Sequence, residues 1–278
     1  MLESFLFLSL LGLVVGAIGT LIGAGGGFIL VPVLILLYPG MKPEEITAIS
    51  LAVVAVNAIV GTTSYLRLRR VDIKAGILFA LATIPGSIFG VYAVNYFDRN
   101  QFDILLGLIL ISIAVFLFLK GGEKKEVSVL NKINPQYTYQ QKTDRNGNKY
   151  EYSYNLKTGI FIALLIGFFS PLFGIGGGII HVPSMTEILH FPVHIATATS
   201  QFVLGIMSIV SVITHYFQGN YDNPETLKLM GILLVGIVPG SLIGAQISKR
   251  VKGQFIIRVL SLSLIIIGLR ILYGVIFN

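Results

Sequence analysis

Long apolar segments with almost no charge inside them recur along the whole chain and constrain its fold most. About 20 helical residues, at ~1.5 Å each, cross the ~30 Å hydrocarbon core of a bilayer. The chain is 54% hydrophobic and 12% charged, and its mean hydropathy is +0.84, unlike that of soluble domains. The sequence therefore predicts an all-α, polytopic membrane protein. The segments are 46–66, 75–97, 102–119, 195–217, 229–247 and 255–277.

The N-terminal run, residues 2–22, is also apolar and is expected to be part of the folded protein. It lacks the positively charged start and the small-residue cleavage site of a signal peptide. The chain has no Cys, which excludes disulfides, thiolate metal sites and a cysteine nucleophile. The net charge of +7 is interpreted through the positive-inside rule of membrane proteins, and not as a sign of nucleic acid binding.

Three motifs occur twice, in the same order in each half of the chain. They are GAGGGFILVP (23–32) and GIGGGIIHVP (174–183), TAIS (47–50) and TATS (197–200), and IPGSIFG (84–90) and VPGSLIG (238–244). The second glycine motif begins 151 residues after the first. Such a pattern indicates an internal duplication. We expect a first transmembrane repeat at 1–119, a linker at 120–157 and a second transmembrane repeat at 158–278.

Basic residues are concentrated in three connections, and this asymmetry orients the helices. Sixteen of the 20 Lys and Arg residues lie in 67–74, 120–157 and 249–258, and connections rich in positive charge face the cytoplasm. With these sides fixed, matching segments of the two halves cross the membrane in opposite directions. The sequence predicts two inverted-topology repeats, each with a Gly-rich broken or re-entrant helix pair and three full spans. Both termini are predicted to be external.

Each glycine motif precedes an apolar run of about half the length of a span. The runs, 28–38 and 179–190, are predicted to be half-helices that begin near the membrane midplane. Glycine allows a tight turn with accessible N–H groups, and a helix start attracts anions. Pro32 and Pro183 are expected in or near the first turn, where a missing N–H costs least.

Inverted repeats would bring both helix starts to one point near the midplane, which predicts a central anion site. The alternative is that the glycines only allow helices to pack closely, as small residues do in membranes. The candidate backbone ligands are Gly25, Gly26, Gly27, Gly176, Gly177 and Gly178.

Polar side chains inside the spans are further candidates for substrate binding. The amides of Asn57 and Gln201 could each donate two hydrogen bonds to an oxyanion, and Ser50 and Ser200 occupy equivalent repeat positions. Hydrogen bonding between helices is the alternative for each of them. His181 is a candidate for a proton coupled to transport, and a His that is hydrogen-bonded within the bundle is the alternative.

Acidic residues are scarce in the spans, which favours an anionic over a cationic substrate. Glu187 lies near the end of an apolar segment and is expected to reach the interface. The sequence shows no metal-ligand spacing, no Ser/His/Asp constellation and no pair of carboxylates suited to catalysis. We therefore expect neither a cofactor nor enzymatic activity.

The linker contains a candidate β-hairpin at 135–157, PQYTYQQKTDRNGNKYEYSYNLK. Aromatic and polar residues alternate around Asn146-Gly147, a strong hairpin signal. A two-stranded hairpin is marginally stable alone, so this one, on the cytoplasmic side, should pack on the membrane domain or on a second subunit. A regulatory role and a tolerated linker insertion are both open.

The doubled G-x-G-G-G motif before a short V-P helix, with the T-A-x-S and P-G-S-x-x-G segments that follow, resembles the TauE/SafE sulfite exporter family. The resemblance covers nearly the whole chain apart from 120–157. It implies transport of sulfite, thiosulfate or small organosulfonates, such as sulfoacetate or taurine-derived acids, across the inner membrane of a bacterium or archaeon. The resemblance implies that the residues matching the family's motifs belong to the substrate site: Gly25, Gly26, Gly27, Gly176, Gly177, Gly178, Ser50 and Ser200.

The mechanism that these patterns predict is secondary transport by alternating access around a midplane anion site, coupled to H⁺ or to the membrane potential. The potential contributes ~2.3 kcal/mol per charge per 100 mV, and it favours export of an anion from a cell that is negative inside. A small-anion channel and a membrane partner subunit without transport activity are the alternatives. A homodimer is compatible with the sequence.

Overall fold

The computed structural model describes residues 2–120, 136–248, 250–251 and 253–277, which are mostly helical. The helices of the first half are α1 (Leu2–Ile22), α2 (Gly27–Leu37), α3 (Pro43–Arg67), α4 (Ile73–Ala93) and α5 (Arg99–Lys120). Those of the second half are α6 (Leu156–Phe173), α7 (Gly178–Pro183), α8 (Val193–Phe217), α9 (Pro224–Ile247) and α10 (Gly253–Phe277). Strands β1 (Tyr137–Thr143) and β2 (Lys149–Asn155) lie between the halves.

In the described part of the chain, 7 helices are long and apolar enough to cross a membrane: α1, α3, α4, α5, α6, α8 and α9. This confirms the prediction of a mostly helical, multi-pass membrane protein. Helix α2 has 11 residues, half the length of a span, as the sequence predicted. The helices that precede the glycine motifs, α1 and α6, are much longer, with 21 and 18 residues.

The second short helix departs from the predicted half-helix at 179–190. Helix α7 ends at Pro183 and continues as a π-helical turn, Ser184–Ile188. The prediction that Pro32 and Pro183 lie in or near a first turn was wrong, because each is the sixth residue of its helix. A proline there lacks the N–H and crowds the carbonyl four residues earlier, but a wider, π-helical turn follows only Pro183, whereas α2 continues past Pro32 to Leu37. Glu187 lies in this turn, which packs against α8, and is buried instead of exposed.

The helices pack across the two halves. Helix α1 packs along α9, α4 along α6, α3 on α8 and α5 on α10. The P-G-S-x-x-G motifs make two of these contacts: a Cβ on Gly240 would lie under 3.0 Å from the carbonyl oxygen of Leu13, and one on Gly86 equally close to that of Leu164. Glycine is required where two helix backbones approach this closely. The third repeated motif is therefore a packing motif.

The predicted β-hairpin is present. Strands β1 and β2 pair antiparallel along their whole length. In the loop between them, the Asp144 carboxylate accepts hydrogen bonds from the amides of Asn146 and Asn148, and Gly147 has a φ of 85°. An aspartate that binds the amides following it is a common way to form a tight turn. The first part of the predicted linker, 121–135, lies outside the described residues.

Two groups of connections lie at opposite ends of the bundle. At one end, Arg70 in the α3–α4 connection binds Asp144 of the hairpin and the carbonyl of Ser248 after α9. At the other end, Arg99 at the start of α5 donates to the carbonyl of Met41 in the α2–α3 connection, at 2.7 Å. Helices α3 and α4 each run between these two groups. The basic α3–α4 connection, the hairpin and the end of α9 therefore share one end of the bundle, which we call the hairpin end.

Candidate substrate site where two glycine turns meet

Two tight turns connect α1 to α2 and α6 to α7, and we call them the glycine turns. In each, three glycines at equivalent repeat positions have φ angles between 55° and 85°. Residues with a Cβ rarely adopt this conformation, which explains why the motif is so rich in glycine. The six residues are Gly23, Gly25 and Gly26 in the first turn, and Gly174, Gly176 and Gly177 in the second.

The two glycine turns contact each other in the interior of the protein. A Cβ on Gly27 would lie under 3.0 Å from the carbonyl oxygen of Gly174, and a Cβ on Gly178 would lie equally close to that of Gly23. These two contacts are equivalent under the repeat. Close packing, the alternative role for the glycines, is therefore present here, and it brings the two helix starts together.

Ser50 and Ser200 each bind the glycine turn of the opposite half. The Ser50 hydroxyl donates to the carbonyl of Gly174 at 2.6 Å, and the Ser200 hydroxyl donates to that of Gly23 at 2.9 Å. Both serines are fully buried. Because the two bonds are reciprocal, they fix the two turns against each other from helices α3 and α8.

Several backbone amides at the two helix starts donate no hydrogen bond to any residue that the structure describes, and four of them match between the two halves. These four belong to Gly26 and Phe28 in the first half, and to Gly177 and Ile179 in the second. The two pairs occupy equivalent positions of the repeat, and all four residues are buried. Buried amides are nearly always paired, and the first amides of a helix have no partner within it. The glycine turns therefore combine two helix starts whose donors are available.

Asn57 of α3 is bound into a network at the first glycine turn that includes Ser241 of the second half. Its Nδ2 donates to the carbonyl of Gly25 at 2.9 Å, while its Oδ1 accepts from the hydroxyls of Ser241 at 2.9 Å and Thr20. Both ends of the amide are thus engaged by the protein, so Asn57 holds the first turn in place. The repeat position equivalent to Asn57 is occupied by Met207.

Several buried polar groups beside the turns lack a partner among the described residues. Gln201 donates through Nε2 to the carbonyl of Gly19 at 3.2 Å, but its Oε1 is unpaired. The hydroxyls of Ser170 and Thr197 are unpaired as well, and a Cβ on Gly177 would lie 2.9 Å from that of Ser170. Buried polar atoms without partners are uncommon. Their presence here adds unsatisfied groups around the same two turns.

His181 lies apart from this cluster, in α7, beyond the second turn. Its ring packs edge-on against Phe79 of α4, with 5.9 Å between ring centroids. The side chain is 2% exposed, and its Nδ1 has no partner in the described part of the chain. Over the same residues, no group of three or more His, Cys, Asp or Glu side chains could hold a metal ion.

The structure brings most of the predicted residues together and adds three. The six candidate glycines lie in or directly after the two turns. Four side chains bind the turns or the helix before them: those of Ser50, Asn57, Ser200 and Gln201. Sequence reasoning missed Thr20, Ser170 and Ser241. The signal for Thr20 and Ser170 was their position just before a glycine turn, and Ser241 is the serine of a repeated motif.

All eleven predicted site residues are buried. Two cavities, of 580 and 650 Å³, lie elsewhere, and none of the eleven lines either of them. A sealed polar centre at two broken helices, inside a bundle of apolar helices, is the architecture of a membrane transporter.

The chain belongs to the sulfite exporter TauE/SafE family, whose pattern matches residues 8–271. It is 33% identical over 283 residues to the probable membrane transporter protein YunE of Bacillus subtilis, covering 99% of this chain and 100% of that protein. It is 28% identical over 272 residues to a probable membrane transporter protein of Methanocaldococcus jannaschii, covering 94% and 93%. No solved structure matches the chain. The protein is thus a membrane transporter of this family and not an enzyme.

Proposed function

We propose that the protein is a secondary transporter that moves small sulfur-containing anions, namely sulfite, thiosulfate or organosulfonates such as sulfoacetate, by alternating access around the glycine turns. The observation that carries this proposal is the set of four unpaired amides, those of Gly26, Phe28, Gly177 and Ile179, at adjacent helix starts. Buried donors need an acceptor. An anion with several oxygens supplies one to each of them.

The chemistry of a sulfite or sulfonate head group suits this site. Its charge is spread over three acceptor oxygens, and amides near two helix starts can replace part of its water shell. The eleven site residues include no Lys, Arg, Asp or Glu. Without a fixed counter-charge, binding stays weak enough for the anion to leave.

Each site residue has a role in this proposal. The glycines at 25–27 and 176–178 supply backbone donors and leave room for the anion. Ser50 and Ser200 hold the turns together through the carbonyls of Gly174 and Gly23, beside which we place the anion. Asn57 positions the first turn, while Gln201 adds a polar group beside it. His181, buried in α7 beyond the second turn, is the candidate to carry a coupled proton.

The packing of the helices supports inverted repeats. Exchanging the two halves converts the α1–α9 contact into the α6–α4 contact and leaves α3–α8 and α5–α10 unchanged. The reciprocal bonds of Ser50 and Ser200 follow the same exchange. Two such halves can rock about a central site and expose it to each side in turn. The sealed site then corresponds to an occluded state.

The distribution of charge supports an orientation with the hairpin end in the cytoplasm and both termini outside. The basic α3–α4 connection lies beside the hairpin and the end of α9, and basic connections stay inside. In this orientation the membrane potential favours export of the anion. The buried state of all eleven residues favours a carrier over a channel, because a channel needs a continuous path.

Selective stabilisation by the substrate tests this proposal. We expect sulfite, thiosulfate or sulfoacetate, at 100 times its dissociation constant, to stabilise the purified protein by ~2.7 kcal/mol. Sulfate, taurine, acetate and chloride, measured as thermal midpoints in the same detergent, are the comparison. The shift should disappear in Gln201→Ala and persist in Ser208→Ala, a buried hydroxyl on the same helix without a partner among the described residues. An equal response to all anions, or none, would contradict the proposal.

A further inference from the structure

The hairpin is anchored to the membrane domain by a buried ion pair. Nε and Nη2 of Arg70 both donate to the Asp144 carboxylate, at 3.1 and 3.0 Å, and the two residues are 2% and 4% exposed. Burial alone would raise the pKa of Asp144, but hydrogen bonds from Asn148 and Arg70 hold that pKa below its usual range. A buried pair is costly to separate, because each charge loses its partner.

Two more bonds tie the hairpin to the α3–α4 connection. The Arg145 amide donates to the carbonyl of Leu68 at 3.0 Å, and Lys142 Nζ donates to that of Val71 at 2.5 Å. Arg70 also donates to the carbonyl of Ser248, after α9, at 3.5 Å. The hairpin end therefore joins segments from both halves of the chain through one cluster of contacts.

A chain of hydrogen bonds leads from the hairpin to the candidate site. The Tyr152 hydroxyl donates to the Asp72 carboxylate at 2.7 Å, and the Asp72 amide donates to the Thr199 hydroxyl at 2.9 Å. Thr199 directly precedes Ser200 and Gln201 in α8. Asp72 therefore links the hairpin to the helix that carries these two site residues.

An aromatic cluster makes a second connection. Tyr152 and Tyr154 of β2 pack on Phe191, with 4.7 Å between ring centroids in each case. Tyr154 also meets Phe79 edge-on at 6.2 Å, and Phe79 contacts His181. Both tyrosines are 1% exposed. The hairpin thus covers the ends of α3, α4 and α8 nearest to it and reaches His181 through one ring.

We propose that the hairpin is a latch that keeps the substrate site closed at the hairpin end and must leave the α3–α4 connection before the site opens there. Asp72 is the positioning residue that links the latch to α8. The proposal rests on the proposed function in placing the site at the glycine turns. Rocking of the two halves would separate the segments that Arg70 joins, so a docked hairpin opposes that motion.

A covalent cross-link that holds the hairpin in its docked position tests this proposal directly. Because the chain has no native Cys, the introduced cysteines are the only thiols. Arg69→Cys and Arg145→Cys, two exposed positions beside the Arg145–Leu68 hydrogen bond, joined by a short bis-maleimide, would fix the hairpin to the connection. Thioether bonds are needed because sulfite cleaves disulfides. The control pair is Gln141→Cys with Glu151→Cys, which face each other across β1 and β2 and lock only the hairpin itself.

We expect the cross-link between positions 69 and 145 to lower anion flux in vesicles at least tenfold. The control cross-link and the unlinked cysteine variants should stay within about twofold of the unmodified protein. If anion flux is equal in the two cross-linked proteins, the hairpin is not a latch, while the proposed transport function is unaffected. If the unmodified protein moves no anion, the proposed function fails, and the latch is decided by the labelling measurement that follows.

The rate of thiol labelling measures how readily the hairpin undocks, and it needs no substrate. Ala198 is fully buried and packs against Leu68 and Val71 beneath the docked hairpin. In an Ala198→Cys background, Tyr152→Phe breaks the bond to Asp72 and should raise the rate of maleimide labelling about tenfold. Tyr139→Phe is the control, because that hydroxyl donates to Glu151 within the hairpin. Equal labelling rates in the two variants would overturn the proposal.

Discussion

Gly178→Ala is expected to destabilise the protein by about 4 kcal/mol or more, the range that marks a severe steric conflict. Its Cβ would lie under 3.0 Å from the carbonyl oxygen of Gly23 and from the Cα of Ala24. These are backbone atoms of the other glycine turn and cannot rotate away. Gly27→Ala should have a similar effect, since its Cβ would meet the carbonyl of Gly174. The measurement is the yield of monodisperse protein and its thermal midpoint in detergent.

Gly205→Ala is the matched control for this prediction. Gly205 lies in α8, also in the buried centre, but its Cβ would meet no atom closer than 3.8 Å. Alanine also suits a helix interior better than glycine, by about 0.5–1 kcal/mol. Gly205→Ala should therefore be neutral or stabilising. If Gly178→Ala were as stable as Gly205→Ala, the two turns would not be in contact.

Asn57→Leu is expected to lower the free energy of unfolding by about 2–4 kcal/mol. The leucine matches the amide in size but leaves the carbonyl of Gly25 and the hydroxyl of Thr20 without their partner. Each buried group left unpaired costs about 1–3 kcal/mol. Ser241 contributes less, because its hydroxyl has the carbonyl of Ile237 as a second acceptor within reach. Denaturation of the purified variant, followed by intrinsic tyrosine fluorescence or circular dichroism, measures the effect.

Met207→Leu is the control for Asn57→Leu, since it changes the equivalent position of the other repeat. Met207 is buried and apolar, and an exchange between apolar residues of similar size costs less than about 1.5 kcal/mol. A loss of stability in Met207→Leu as large as that in Asn57→Leu would show that packing, and not the Asn57 network, stabilises the turns.

Features encoded by local sequence patterns could be predicted without the structure. The apolar spans follow from length and hydropathy, and the hairpin follows from the alternation around Asn146-Gly147. Helix α2 begins at Gly27, directly after the turn, because Gly23, Gly25 and Gly26 tolerate the positive φ angles of that turn. These signals act over a few residues, so they can be read directly from the chain.

Features that depend on distant contacts could not be predicted. Ser50 was selected as a ligand of an anion, but the residue that its hydroxyl binds, Gly174, lies 124 positions away. Asn57 has both of its polar atoms engaged by protein groups, a fact that depends on Thr20 and Ser241. The sequence did not predict the π-helical turn after Pro183, because the equivalent proline of the first half, Pro32, is followed by regular α-helix. Tertiary packing decides such cases.

Counterflow of a radiolabelled sulfur anion in vesicles that contain the purified protein tests the central claim most directly. Vesicles loaded with unlabelled sulfite, thiosulfate or sulfoacetate are diluted into the same anion carrying the label, and vesicles without protein are the reference. An alternating-access carrier predicts transient accumulation of label, driven by exit of the unlabelled anion. Label that only equilibrates would indicate a channel. Label that stays at the reference level for all three anions, with folded protein present, would contradict the account and leave the glycine turns with a packing role alone.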